Sequence, residues 1–180
     1  PTALDRLADL LRVHEMKQLF KVHLVSFFLE AYQMPVMVFV GEQGSIKTTI
    51  AKSIKQIVDP SGEIVSSLPK KTDDLLLHLD SRYLVNFDNI SYFDQEISNI
   101  LCRAITGDGT SKRQLYTDAD EVIWTYIRKI ILNGIAPSLE YPDLRDRCII
   151  YKTTPIKEEE RITELEFNQR LEEILPSVLG

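Results

Sequence analysis

Residues 36–60 read VMVFVGEQGSIKTTIAKSIKQIVDP. A short apolar run, Val36 to Val40, leads into two glycines and a Lys-Thr pair, then into a stretch with helical spacing that Asp59-Pro60 stops. Strand, glycine turn and helix in this order make a cradle for phosphate. The glycines let backbone N–H groups converge on phosphate oxygens, and the helix start adds its positive dipole end. The candidate nucleotide-binding residues are Gly41, Glu42, Gln43, Gly44, Ser45, Ile46, Lys47, Thr48 and Thr49. Lys47 would meet the terminal phosphates, and the Thr48 hydroxyl would ligate a magnesium ion. One letter departs from the usual G-x-x-x-x-G-K-[ST]: Ile46 stands at the second glycine. A β-branched side chain resists a positive φ, so position 46 is expected to be right-handed, with Gly41 and Gly44 supplying the special geometry. An incidental strand-to-helix turn is the alternative; strand, spacing, Lys-Thr and following helix together argue against it.

The 180 residues, 44% hydrophobic, suffice for one domain with a sizeable core. A formal charge of -6 gives no overall basic field, so contact with nucleic acid or an anionic membrane would need a local patch. Cys102 and Cys148 lie far apart without a C-x-x-C pair, which fits neither a zinc site nor a disulfide scaffold; a reducing cytoplasmic compartment is the simplest expectation. No apolar run reaches the roughly 18 residues of a membrane span, and no signal peptide is expected. The sequence opens on Pro1 and closes on LEEILPSVLG, which reads like a helix just begun, so a fragment of a longer protein is expected.

Two helices are expected before the first strand, the second, MKQLFKVHLVSFFLEAYQ, apolar on nearly every side and largely buried. GEIVSS is a candidate second strand, TDDLLLHLDS a short helix with Thr72 as cap, and YLVNFDNI a third strand ending in an acid. DQEISNILCRAIT has helical spacing that GDGT breaks, and SKRQLYTDADEVIWTYIRK reads as a hairpin around TDADE. Two more strands, in IILNGI and CIIYK, precede a charged helical tail from Ile156. Alternation of this kind predicts an α/β fold with a largely parallel sheet flanked by helices.

Asp88, at the end of the third strand, is placed to hold Mg²⁺ directly or through water; capping of the next turn is its alternative. The next residue, where most ATPases of this kind carry a glutamate that orients water, is Asn89, which cannot take a proton. Asn133 would orient water at the γ-phosphate, or merely form an Asn-Gly turn. Arg145 and Arg147 flank Asp146; either could reach a neighbouring subunit's γ-phosphate, or pair locally with Asp143 or Asp146. His14, His23 and His78 are isolated from one another and from any cysteine pair. Trp124 and Tyr126 suit packing on a hairpin face better than base stacking.

Phosphate loop, strand-Asp, hairpin, strand-Asn and arginine, in that order, resemble the AAA+ superfamily, and specifically its superfamily 3 helicase branch. ITGDGTSKRQLYTD looks like a segment of phage and poxvirus primase-helicases. GEQGSIKTT, LPKKTDDL, NFDNISYFDQEISNILCRAITGDGTSKRQLYTD, ILNGI and PDLRDR together resemble mobile-element ATP-binding proteins related to those helicases. The resemblance implies a P-loop NTPase of AAA+ type: helices at 1–33 packed on the core, an ATPase core at 34–156, and the start of a helical lid at 157–180. It implies ATP and Mg²⁺ as cofactors, a self-assembled ring, usually hexameric, and DNA in its channel facing the hairpin. By position Lys47 and Thr48 are the Walker A pair, Asp88 is Walker B, Asn133 sensor 1, and Arg147, with Arg145 second, the finger. The hairpin tip TDADE is acidic, leaving Lys112 and Arg113, at the hairpin's root, as the DNA-binding candidates, against plain solvation. The expected function is a replication motor with helicase-like activity. The alternatives are a nucleotide-gated scaffold that hydrolyses little, because Asn89 is no base, and an AAA+ ATPase acting on a protein client.

Overall fold

The computed structural model describes residues 2–62, 64–92, 94–108, 110–113, 121–124, 127–135 and 139–180, with backbone alone at 110–113 and 121–124. Five strands form one parallel sheet in the order β2-β3-β6-β1-β7: β1 is Val36–Val40, β2 Ser66–Ser67, β3 Leu84–Asp88, β6 Lys129–Gly134 and β7 Cys148–Lys152. The central strands are apolar on both faces because both faces are covered. Met37, Phe39, Leu84 and Ile131 point to one side, against α1 (Ala3–Leu10), α2 (Lys17–Ser26), α3 (Lys47–Val58) and α7 (Glu164–Leu179). Val36, Val38, Val85, Phe87, Ile130 and Leu132 point to the other, against α4 (Thr72–Ser81), α5 (Gln95–Thr106) and α6 (Pro142–Arg145).

Connectivity positions the site. From β1 the chain runs through α3 to the edge strand β2, returns by α4 to β3, and after α5 inserts β6 between β3 and β1. The turns after β1 and β3 therefore face each other across β6, at the carboxyl ends of the strands, where open parallel sheets bind ligands. Between α5 and β6 lies the hairpin, β4 (Thr110–Arg113) antiparallel to β5 (Glu121–Trp124), as expected. Residues 114–120, which include all of the expected TDADE tip except Glu121, lie outside the described residues, as does Tyr126; Glu121 begins β5.

Several expectations are corrected. α2 buries only one face, through Phe20, His23 and Leu24, while Leu19, Val22 and Val25 are exposed. A helix apolar all round does not declare by its pattern which side will find a partner. α4 starts one residue earlier than a Thr72 cap would allow: Lys71 is its N-cap, with no side-chain hydrogen bond. The tail is not helical from Ile156; a single 3₁₀ turn, Glu158–Glu160, precedes α7, whose cap is Thr163, accepting from Glu166 N. No described helix is long and apolar enough to cross a membrane.

Candidate nucleotide-binding site

The turn after β1 is built under tight steric limits. A Cβ on Gly41 would stand 2.3 Å from Thr153 Oγ1 and 2.4 Å from Thr153 O, so only glycine fits against the segment that follows β7. Gly44 has φ +79. Ser45 is buried and donates to Glu42 O (2.6 Å), closing the turn on itself. Ile46 corrects the sequence reading: it is left-handed, φ 61 and ψ 2, and forms the N-cap of α3. That conformation costs a residue bearing a Cβ about 1–2 kcal/mol. It is held because Ile46 packs against the core cluster and its carbonyl accepts from Ile50 N (2.9 Å), starting the helix.

Lys47 opens α3 and folds its ammonium back into the turn, donating to Gly41 O and Glu42 O (both 2.7 Å) and lying 3.1 Å from Ser45 Oγ. Burial lowers its pKa, and the charge of Asp88 opposes that shift. One residue on, Thr48 Oγ1 donates to Asp88 Oδ2 (2.9 Å). The structure thus brings together the hydroxyl and the carboxylate that the sequence marks as ligands for a hard divalent cation.

Asp88 Oδ1 accepts from the Asn89 backbone N–H (2.6 Å), an interaction possible because Asn89 is left-handed, φ 56, a region asparagine tolerates well. The same N–H lies 3.3 Å from Asn133 Oδ1. Asn133 is fully buried within β6, and its Nδ2 has no hydrogen-bond partner among the described residues. The turn reading of Asn133-Gly134 is excluded, because both residues belong to the strand. Gly134 has a different reason: a Cβ there would sit 2.2 Å from Ile90 O. With its Oδ1 facing the Asn89 N–H, Asn133 sits one strand position from the residue that follows Asp88, with its amide nitrogen left over.

The arginines lie elsewhere. Arg147 O accepts from Val36 N (2.8 Å) at the start of β1, whereas the phosphate turn follows its end. Five residues at about 3.3 Å each leave roughly 15 Å between them, so neither Arg147 nor Arg145 serves its own turn. Arg147 donates to the Asp143 carbonyl (2.5 Å), and neither arginine forms an ion pair with Asp143 or Asp146. Lys112 pairs with Val122 and Arg113 with Glu121 in the described part of the hairpin.

A cavity of about 1270 Å³ opens beside the turn, lined among others by Leu10, Ile46, Thr48, Asp88, Arg161 and Phe167. Sequence reasoning missed its far wall. α1 packs on α7, Arg12 donates to Glu160 Oε2 (2.6 Å) and Glu160 O (3.1 Å), and Ile156 N donates to Gly44 O (3.3 Å). The only local signal was the Thr-Thr-Pro after the last strand.

A parallel sheet in this order, with a glycine turn after β1 and an acid ending β3, has the architecture of a P-loop domain. Solved structures agree on the fold: the C-terminal region of NrS-1 matches with TM-score 0.65 and 19% identity over 98% of this chain and 43% of that one. The JCV helicase matches with TM-score 0.57 and 16% identity over 97% and 52%. The chain therefore spans about half, or less, of those structures. A model of the family described as actinomycete integrative conjugative element replication protein matches residues 4–180, and the chain belongs to that family. The resemblance to helicases and to mobile-element proteins is thereby borne out. No curated protein matches the sequence.

Proposed function

We propose that this chain is the ATP-binding and ATP-hydrolysing motor domain of its replication protein, working with Mg²⁺, assembling with copies of itself into a ring, and moving DNA. The observation that carries this reading is the meeting of Thr48 Oγ1 with Asp88 Oδ2 (2.9 Å) at the cavity beside the glycine turn. Asn133 Nδ2, buried without a partner among the described residues, supports it: an unpaired buried donor costs about 1–3 kcal/mol, which a water or a phosphate oxygen beside it would recover.

In this reading Lys47 exchanges its contacts with Gly41 O and Glu42 O for terminal phosphate oxygens, while the backbone of residues 41–46 holds the phosphate chain. Thr48 and Asp88 would hold the magnesium ion, which when bound neutralises charge on the phosphates. Asn133 orients the attacking water or the γ-phosphate. Arg147, with Arg145 second, would meet the γ-phosphate of a neighbouring copy, because its own turn lies at the other end of β1. Lys112 and Arg113, carried on the hairpin, are the candidates for the DNA backbone.

Asn89 favours a second reading, a nucleotide-gated scaffold with little hydrolysis, since its amide takes no proton. Phosphate release by the intact protein, with and without single-stranded DNA, separates the two: stimulated turnover rules out the scaffold. Lys47→Ala is expected to abolish nucleotide binding or turnover, and wild-type turnover in that variant would overturn the site. Turnover indifferent to DNA would point to a protein client.

A further inference from the structure

The segment between β7 and α7 does more than close a wall. Thr153 N donates to Val40 O (2.8 Å), Thr153 Oγ1 lies 2.9 Å from Ser45 Oγ, and Ile156 N reaches Gly44 O, so the segment is tied along the outside of the phosphate turn. It then enters the 3₁₀ turn, where Arg161 N donates to Glu158 O (3.3 Å) and Arg12 grips Glu160 through two contacts. Arg161 rises from this pinned turn. Its Nη2 stands 3.6 Å from where a Cβ on Gly44 would be, and it lines the same cavity as Thr48 and Asp88.

Three arginines face that cavity. Arg12 is paired with Glu160 and Arg170 with Glu166. Arg161 forms no ion pair with any described carboxylate; its Nε donates to Ile156 O (3.3 Å), which aims the guanidinium without using its outer nitrogens. A triphosphate carries several negative charges, and the turn itself supplies one cation, Lys47, whose charged form burial disfavours. A guanidinium offers a planar fork suited to phosphate oxygens and keeps its charge.

We propose that Arg161 is a second cationic ligand of the nucleotide's phosphates, presented to the turn by the segment after β7 in the same chain. The proposal rests on the nucleotide-binding reading above.

Binding by the intact protein tests it, measured by calorimetry with ATP, ADP and adenosine, for wild type, Arg161→Ala, Arg161→Lys and Lys47→Ala. Arg161→Ala is expected to weaken ATP binding about 10- to 100-fold, the range of a charged hydrogen bond, with partial recovery in Arg161→Lys and adenosine affinity unchanged. Arg161 is exposed, so melting temperatures without nucleotide should coincide, and Arg161→Gln replaces the alanine variant if they do not. Wild-type ATP affinity in Arg161→Ala alongside loss in Lys47→Ala would overturn the role of Arg161 while leaving the site standing. An equal loss for adenosine would mean a structural wall and would also overturn it. No ATP binding by the wild type would overturn both.

Discussion

Ile46 occupies a conformation that belongs to glycine, and this can be weighed by comparing two substitutions rather than one. Ile46→Ala removes the packing against the core but keeps a Cβ in the left-handed region. Ile46→Gly removes the same packing and the strain. The packing loss is common to both and cancels. What remains is a strain relief of about 1–2 kcal/mol in favour of glycine, opposed by about 0.5–1 kcal/mol for the freedom glycine gains when unfolded. Glycine should therefore be the more stable variant by up to roughly 1.5 kcal/mol, or at most about 3–6 °C in melting temperature for a chain of this size. At a right-handed position the sign reverses, because there glycine carries only its entropic penalty. Urea titrations followed by circular dichroism, without nucleotide and with equal m-values, give the comparison directly. An alanine variant more stable than the glycine variant by about 0.5–1 kcal/mol, glycine's entropic penalty alone, would show that position 46 is right-handed and that the correction to the sequence reading is itself wrong.

Lys55 is fully buried in α3 and donates to Asp59 Oδ2 (2.6 Å) and Leu84 O (2.7 Å), joining the helix of the phosphate turn to the strand of Asp88. Asp59→Asn would leave that ammonium uncompensated and should cost about 3–5 kcal/mol by urea denaturation, whereas Lys55→Met combined with Asp59→Asn, which removes both charges, should cost less. Burial raises the Asp59 carboxyl, but Lys55 and the Leu84 N–H outweigh it and hold its pKa below the ordinary value. Its contribution should thus be full above the unfolded-state value near 4 and disappear as pH falls below that, a loss that Asp59→Asn should not show. For the arginines, mixing inactive Lys47→Ala with inactive Arg147→Ala protein should restore part of the turnover, since some interfaces would then combine an intact turn with an intact arginine; no recovery at any ratio would refute action between copies.

The sheet and the heart of the candidate site were legible because each rests on a local pattern. Val36 to Val40, the glycines, Lys47-Thr48 and the period of α3 announce a strand, a turn and a helix within 25 residues. Asp88 announces itself as an acid ending an apolar strand. The conformation of Ile46 was not legible, since intrinsic preference pointed to the right-handed region and tertiary packing overrode it. Nor was the buried face of α2, whose apolar residues surround the helix. The pairing of Arg12 with Glu160 and the approach of Arg161 to Gly44 depend on how distant segments cross, which no periodicity records.

Arg12 and Glu160 are separated by 148 positions. Chains are synthesised from the amino end at roughly 5–20 residues per second, so α1 emerges roughly 7–30 s before its partner at the cavity wall exists. Throughout that interval Leu7, Ala8 and Leu11, which end up buried against Phe167, Leu171 and Ile174, have only α2 and the growing sheet to shelter them. The wall of the compartment beside the phosphate turn is consequently completed only after the last residues of the described chain have been made.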